Sequence, residues 1–336
     1  MSVFAVATGV GSWPGTSARE AAQVVVGELA GLPHLVELPE RGIGADVIGR
    51  AAALLIDIGM DTVPRGYRVA SRRTRVVRRA VSLLDEDLDA LEEAWERAGL
   101  RGTSRSVKVQ APGPITLAAE VELANGHRAV TDTGALRDLA VSLAEGVAGH
   151  CAELARRLGC PVVVQFDEPS LPAASAGRLS GVTDLDSVPP VEEAVAVDLL
   201  DICSRTVGVP VAVHICAPGI PWKILQRSAI DAISIDPATL AEADLDGLGE
   251  FLDAGRTVQL GVVPVVMPER PPAVEEIARA AAGLTDRLGF ARSVLRDRIG
   301  VTPGCGLAGA SGQWARTAVE LARRTAEALS DDPENI

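Results

Sequence analysis

Aromatic side chains are scarce in this sequence of 336 residues, which has four tryptophans, four phenylalanines and a single tyrosine. A chain so poor in rings has no stacking platform for single-stranded nucleic acid, and its apolar burial has to come from Ala, Val, Leu and Ile. Basic residues are in the minority as well: 32 Lys and Arg face 45 Asp and Glu, and the net charge of −13 repels any polyanion that needs a broad basic face. Nucleic acid is thereby excluded as a partner. No apolar run reaches the ~20 residues of a membrane span, and the opening MSVFAVATGVGSWPG has no basic residue ahead of its short apolar stretch. The expectation is a cytoplasmic protein without a membrane partner. Cysteine is rare and odd in number. Cys151, Cys160, Cys203, Cys216 and Cys305 are too dispersed for the disulfide framework of a small secreted domain, which leaves metal binding or thiol reactivity for some of them.

What the chain does have is 47% hydrophobic and 23% charged residues, enough for a large buried core. It contains no internal repeat and no low-complexity linker, so one domain over residues 1–336 is the simplest organisation. A short β-branched run, a turn with Gly or Pro and a longer segment with apolar residues three and four apart recur along it. The spacing predicts strands at Val3–Gly11, Asp61–Pro64, Ser106–Ala111, Pro161–Asp167, Val209–Cys216, Asp231–Asp236, Thr257–Val263 and Arg298–Thr302. Helices are expected at Ala18–Leu29, Asp85–Ala98, Thr133–Leu158, Val191–Val207, Pro272–Leu288 and Ser311–Ala328, with the acids at the start of the second suiting a helix N-terminus. PVVVQF and PVAVHI are almost continuously apolar, as parallel strands covered on both faces should be. About eight βα units match a single (β/α)8 TIM barrel; a doubly wound sheet has the same local signals.

A barrel demands that chemistry cluster where its strands end. His214 and Cys216, two apart in VAVHICAPG, point to the same side of their strand. Asp236 ends the next strand and Cys305 follows the last, between two glycines. One imidazole, two thiolates and a carboxylate form a tetrahedral set suited to zinc. Singly, each of these residues reads as packing or a helix cap, and local zinc-finger spacing is absent. Asp167 and Glu168 end the fourth predicted strand, and alternation lets only one face the mouth; Asp167, in phase with Gln165, is that one. The VGSWPG turn offers backbone N–H groups and the Ser12 hydroxyl to a small carboxylate. Seven arginines and no acid lie between Arg65 and Arg79, either a solvated helix face or a rim for an anionic substrate tail. The segment Ala173–Pro190, rich in Ser, Gly and Pro, is a candidate cover for the mouth.

Together these motifs resemble the catalytic C-terminal half of cobalamin-independent methionine synthase, a zinc enzyme on a (β/α)8 barrel. VGSWP resembles that family's Ile-Gly-Ser-Phe-Pro, QAPGPIT its Gly-Pro-Val-Thr, FDEPSL its Ile-Asp-Glu-Pro-Ala-Leu, HIC its His-Met-Cys and PGCGL its Pro-Asp-Cys-Gly-Leu, in the same order from Val10 to Leu307. The resemblance implies zinc ligands His214, Cys216 and Cys305, with Asp236 where the family usually has Glu. It implies that Val10, Gly11 and Ser12 hold the carboxylate of homocysteine and Asp167 its ammonium, and that the zinc-bound thiolate is methylated to methionine. On the donor side the chain departs from the pattern. Glu120, Ala173 and Val266 stand where the family has a Trp, a Glu and a catalytic His, so no residue is assigned as general acid. The family's second ammonium-binding Glu falls near Gly49, with Glu40 as a nearby replacement. The methyl donor is thus methyl-folate or, since it needs no protonation, a methyl-corrinoid protein. Alternatives are a corrinoid-dependent thiol methyltransferase or a uroporphyrinogen-decarboxylase-like barrel of the same superfamily, and a non-catalytic barrel with structural zinc.

Overall fold

A computed structural model describes residues 2–182 and 187–336. In chain order, α1 (Ala18–Glu28) and α2 (Val47–Leu54) precede a hairpin of β1 (Gly59–Val63) and β2 (Gly66–Ala70), followed by α3 (Arg75–Arg97). Next come β3 (Val107–Pro112), α4 (Pro114–Glu120), the short β4 (Val121–Glu122), α5 (Thr133–Leu158) and β5 (Val162–Asp167). After α6 (Leu171–Ser175) and α7 (Glu193–Val207), strands and helices alternate through β6 (Val211–Ile215), α8 (Trp222–Arg227), β7 (Ala232–Ile235), α9 (Asp244–Asp253) and β8 (Thr257–Val263). The chain closes with α10 (Val274–Arg287), α11 (Ser293–Arg298), β9 (Ile299–Pro303) and α12 (Gly312–Asp331).

The principal sheet is parallel throughout, in the order β3-β5-β6-β7-β8-β9, and it curls. Two extended segments lie between its edges. Ala7 bridges Val301 of β9, Ser12 bridges Glu37, and His34 bridges Lys108 of β3, all parallel. Backbone bonds accompany these bridges, such as Thr8 N to Val301 O at 3.1 Å and Leu35 N to Lys108 O at 2.8 Å. Their ladders stay short because Pro33 has no N–H to give and Gly9 packs directly against the His34 ring, where a Cβ would overlap it.

Six of the eight expected strands fall in the principal sheet; Val3–Gly11 forms no regular strand and touches the β9 edge through a single bridge at Ala7, and the position beside β3 is taken by a segment the spacing had not marked. The strand expected at Asp61–Pro64 falls elsewhere. Residues 59–63 form β1, paired antiparallel to β2, which pairs in turn with β4 outside the principal sheet. Only Met60 of β1 is buried, so this strand cannot occupy a place covered on both faces; the wholly buried His34–Glu37 run takes it instead. The helix expected from Asp85 begins at Arg75, where the Thr74 hydroxyl caps Val77 N. Its acids are therefore mid-helix, and Asp87 is fully buried.

Asp87 anchors a charged network beneath the loop that follows Glu37. Its carboxylate accepts two bonds from Arg41 Nη2, at 2.6 and 2.8 Å, and another from Arg50 Nη1, while Arg50 Nε lies 3.7 Å from Glu37. His150 of α5 is buried nearby, and burial with the Arg50 charge lowers its pKa to about 4. Inside the curl, Phe4, Leu32, Val163, Ala212 and Ala232 form a separate apolar cluster. Two residues further along β5, β6 and β7 the same inward face carries Gln165, His214 and Ser234. The interior is thus apolar at one level and polar toward the strand ends.

Asp87→Ala leaves two buried guanidinium groups without their anion and should cost about 3–5 kcal/mol in urea denaturation. A depressed imidazole stabilises the fold above its unfolded pKa near 6.5 and loses that contribution as pH falls toward 4. His150→Gln should therefore flatten the stability profile between pH 6.5 and 4.5 by up to about 1.4 kcal/mol per pH unit.

Candidate metal centre and adjoining polar pocket

His214 lies next to the end of β6, Cys216 one step beyond it, and Cys305 in the loop after β9. The chain brings these three together: one ligand atom from each lies within 4.8 Å of the others. His214 is buried, and its Nε2 has no hydrogen-bond partner among the described residues. Its Nδ1 is 3.2 Å from Ser234 Oγ on β7. With the hydroxyl accepting from Nδ1–H, the Nε2 lone pair is free for a ligand, the usual arrangement behind a metal-binding imidazole. Cys216 and Cys305 share a hydrogen bond that, with the His214 imidazole, pulls the Cys305 thiol down to about 4, while the same bond and burial push Cys216 above the ordinary thiol range. An orphaned imidazole nitrogen beside a ready thiolate and a second thiol fits a metal ion such as zinc. The remaining cysteines differ. Burial alone pushes Cys151 to about 12 and Cys160 to about 11, and Cys203 is fully buried, so these three are inert packing residues.

Asp236 stands apart from the three-residue group. Its Oδ1 accepts from Ala238 N at 2.9 Å and caps a short 3₁₀ turn, while a Cβ on Gly304 would come within 3.1 Å of Oδ2. The carboxylate therefore lies against the residue preceding Cys305.

Asp167 and Glu168 diverge as strand alternation requires. Asp167 is the register neighbour of His214 and accepts from Gln165 Nε2 at 2.7 Å; burial raises its carboxyl to about 6, opposed by the nearby His214 and Lys108. Glu168 points the other way onto the start of α4, accepting from Ile115 N, Thr116 N and Thr116 Oγ1 at 2.7–2.9 Å. It is a buried helix cap. The first turn reaches the same place. Val10 O accepts from Gln165 Nε2, a Cβ on Gly11 would meet the Gln110 amide, and Ser12 Oγ lies against Gly306, next to Cys305.

Two buried charged residues of this cluster are absent from the candidates drawn from sequence. Glu37 and Lys108 are buried; burial pushes the acid up and the amine down, each opposed by the other and by neighbouring charges. Both were visible as single charges inside apolar runs, PHLVELP and VKVQA. Other expected positions lie elsewhere. Gly49 is within α2 beside Tyr67 and Asp46, and Glu40 accepts from Gly15 N at 2.9 Å. Glu120 bonds Ser170 and pairs with Arg128, Ala173 lies in α6, and Val266 is 61% exposed beyond β8. Of the seven arginines, Arg65 and Arg68 pair with Glu122 and Arg79 binds backbone carbonyls, so the run is partly spent on holding the hairpin. The expected cover Ala173–Pro190 includes residues 183–186, which lie outside the described residues.

The catalytic-domain signature of cobalamin-independent synthases matches residues 4–328. The chain belongs to the cobalamin-independent synthase family. Among solved structures, it is similar to a B12-independent methionine synthase from Shewanella sp. W3-18-1 in complex with selenomethionine, at 17% identity and a TM-score of 0.62 over 99% of this chain and 100% of that one. It is also similar to a methyltransferase from Methanosarcina mazei, at 14% identity and a TM-score of 0.52 over 97% and 94% of the two chains. At these identities the likeness is one of fold. A search of curated proteins by sequence gave no match. The family comprises zinc-dependent methyltransferases, and this member has the His-Cys-Cys group for a metal. No helix among the described residues is long and apolar enough to cross a membrane.

The Ser234 hydroxyl orients His214 from its Nδ1 side and leaves Nε2 free. Ser234→Ala should weaken zinc binding about 10- to 100-fold, whereas His214→Ala removes a ligand and should abolish stoichiometric binding. Chelator competition reads both.

Proposed function

We propose that this protein is a zinc-dependent S-methyltransferase of a single (β/α)8 domain that methylates the thiol of homocysteine to give methionine. The observation that carries the reading is the unpartnered, buried His214 Nε2 converging with Cys216 and Cys305 beside Asp167 and the Val10–Ser12 turn. The two extended segments between β9 and β3 supply the first two strand positions of the barrel. His214, Cys216 and Cys305 would hold the ion, with the Asp236 carboxylate, adjacent through Gly304, as a fourth and exchangeable donor. A bound zinc ion supplies a Lewis acid that keeps a thiol deprotonated at neutral pH.

The chain's own residues recognise the rest of the substrate. Val10, Gly11 and Ser12 receive the carboxylate on backbone N–H groups and the Ser12 hydroxyl, and Asp167 receives the ammonium. Glu37, buried beside Asp167, adds negative charge on the same side. Lys108, below them, offsets that charge so the two carboxylates are not left facing one another alone. Fixing both ends of the amino acid aims its thiol at the donor position and lowers the entropic part of the barrier.

A methyl-corrinoid protein as donor is favoured over methyl-folate by one observation. The position after β8 carries Val266, exposed and without a proton to give, whereas folate as leaving group requires protonation of its nitrogen. Zinc-loaded protein with homocysteine should form methionine from methylcobalamin and much more slowly from polyglutamylated 5-methyltetrahydrofolate alone. Methionine formation unchanged in a His214→Ala, Cys305→Ala double variant would dismiss the metal site from the reaction. Faster turnover with the folate would reverse the donor assignment.

A further inference from the structure

We infer that Gln165 is a positioning residue that fixes the distance between the two halves of the amino-acid pocket. The inference rests on the homocysteine reading and deepens it. Gln165 is fully buried on the inward face of β5, and every polar atom of its amide is engaged. Nε2 donates to Val10 O at 2.8 Å and to Asp167 Oδ1 at 2.7 Å, while Oε1 accepts from Lys108 Nζ. The amide orientation is dictated by chemistry: the Val10 carbonyl can only accept, so the NH2 must face it and Asp167, and the carbonyl oxygen is left to Lys108. Lys108 Nζ also donates to Gly9 O at 2.5 Å, which ties the support of the amide to the same strand it grips.

One planar group thus spans the carboxylate-binding turn and the ammonium-binding acid. The gap between its two acceptors is set by a single NH2, and neither Val10 nor Asp167 can shift without breaking a bond in the dry interior. The turn has other supports: Gln110 Nε2 donates to Val10 O at 3.3 Å, and Glu37 N to Gly11 O at 3.2 Å. Among the described residues, Gln165 is the side chain that hydrogen-bonds the Asp167 carboxylate and ties it to the turn. Loss of Gln165 therefore falls on the ammonium half. The geometry makes the pocket selective for ligands carrying both charges on one carbon, over thiols that carry either alone.

The test is calorimetry on zinc-loaded protein with L-homocysteine and with 4-mercaptobutanoate, the same thiol without its amino group. Wild type should bind homocysteine at least tenfold more tightly. In Gln165→Leu, homocysteine should weaken at least tenfold, 4-mercaptobutanoate by less than twofold, and zinc stoichiometry should remain one per chain. Gln165→Asn, which keeps an amide too short to reach both acceptors, should give the same differential loss and stands in if the leucine variant fails to fold. Equal weakening of both thiols marks a general structural role and overturns the inference, as does a homocysteine affinity within twofold of wild type. A wild type that does not discriminate the two thiols overturns the homocysteine reading itself, and this inference with it.

Discussion

Polar groups turned into the curled sheet have little access to water, so each has to find its partner on a neighbouring strand. That constraint organises the interior. Gln110 and Gln165 occupy paired positions on β3 and β5, and both donate to the carbonyl of Val10, on the segment that bridges β9. Lys108 joins them from below. A purely apolar filling would have packed more cheaply, but it would not have fixed the first segment, whose regular ladder with its neighbours is reduced to single bridges. Side-chain bonds here do work that backbone pairing does elsewhere in the sheet.

Much of this was legible in the sequence, and the limits have physical causes. Thr133–Leu158 and Thr257–Val263 are read to the residue because a long apolar stripe ended by Gly159 and a doubly covered β-branched run are strong periodic signals. The grouping of His214 with Cys216 was legible for a similar reason, since spacing of two at a strand end fixes a common face. The segment beside β3 was not legible. Met60 to Val63 carries the β-branched pattern, whereas His34–Glu37 is short, flanked by prolines and interrupted by charge, and only tertiary pairing with Lys108 makes it extended. The start of α3 was hidden likewise, since the acids that suit an N-terminus serve as buried partners for Arg41 and Arg50.

Buried charge inside the curled sheet is balanced over several elements rather than within one. Asp167 comes from β5, Glu37 from the segment before α2, Lys108 from β3, and Arg50 from α2, held in turn by Asp87 of α3. No local motif contains an acid with its counter-ion. Motif comparison therefore finds Asp167, which sits in a recognisable string, and passes over Glu37 and Lys108, which matter only once five elements have been folded together.

The loop that carries Cys305 shows how tightly the two ends of the chain depend on each other. Gly306 has no room for a Cβ because Ser12 Oγ occupies it, and Leu307 N donates to Ser12 O at 2.8 Å. On the other flank, Gly304 lies against both the Asp236 carboxylate and Gly261 of β8, and its N–H donates to Val263 O at 3.0 Å. Close approach rather than an unusual backbone angle favours glycine on both sides of Cys305, most tightly at Gly306 and by a few tenths of an ångström at Gly304, since neither has a positive φ. A side chain at Gly306 would press on Ser12 of the first turn, and one at Gly304 on the Asp236 carboxylate just after β7. Either displacement moves Cys305 Sγ relative to His214 and Cys216, which are fixed on a regular strand end. The spacing of the His214, Cys216 and Cys305 group therefore depends on the packing of Ser12 and Asp236 against these two glycines, and the Val10–Ser12 turn and the Cys305 loop have to move as one body.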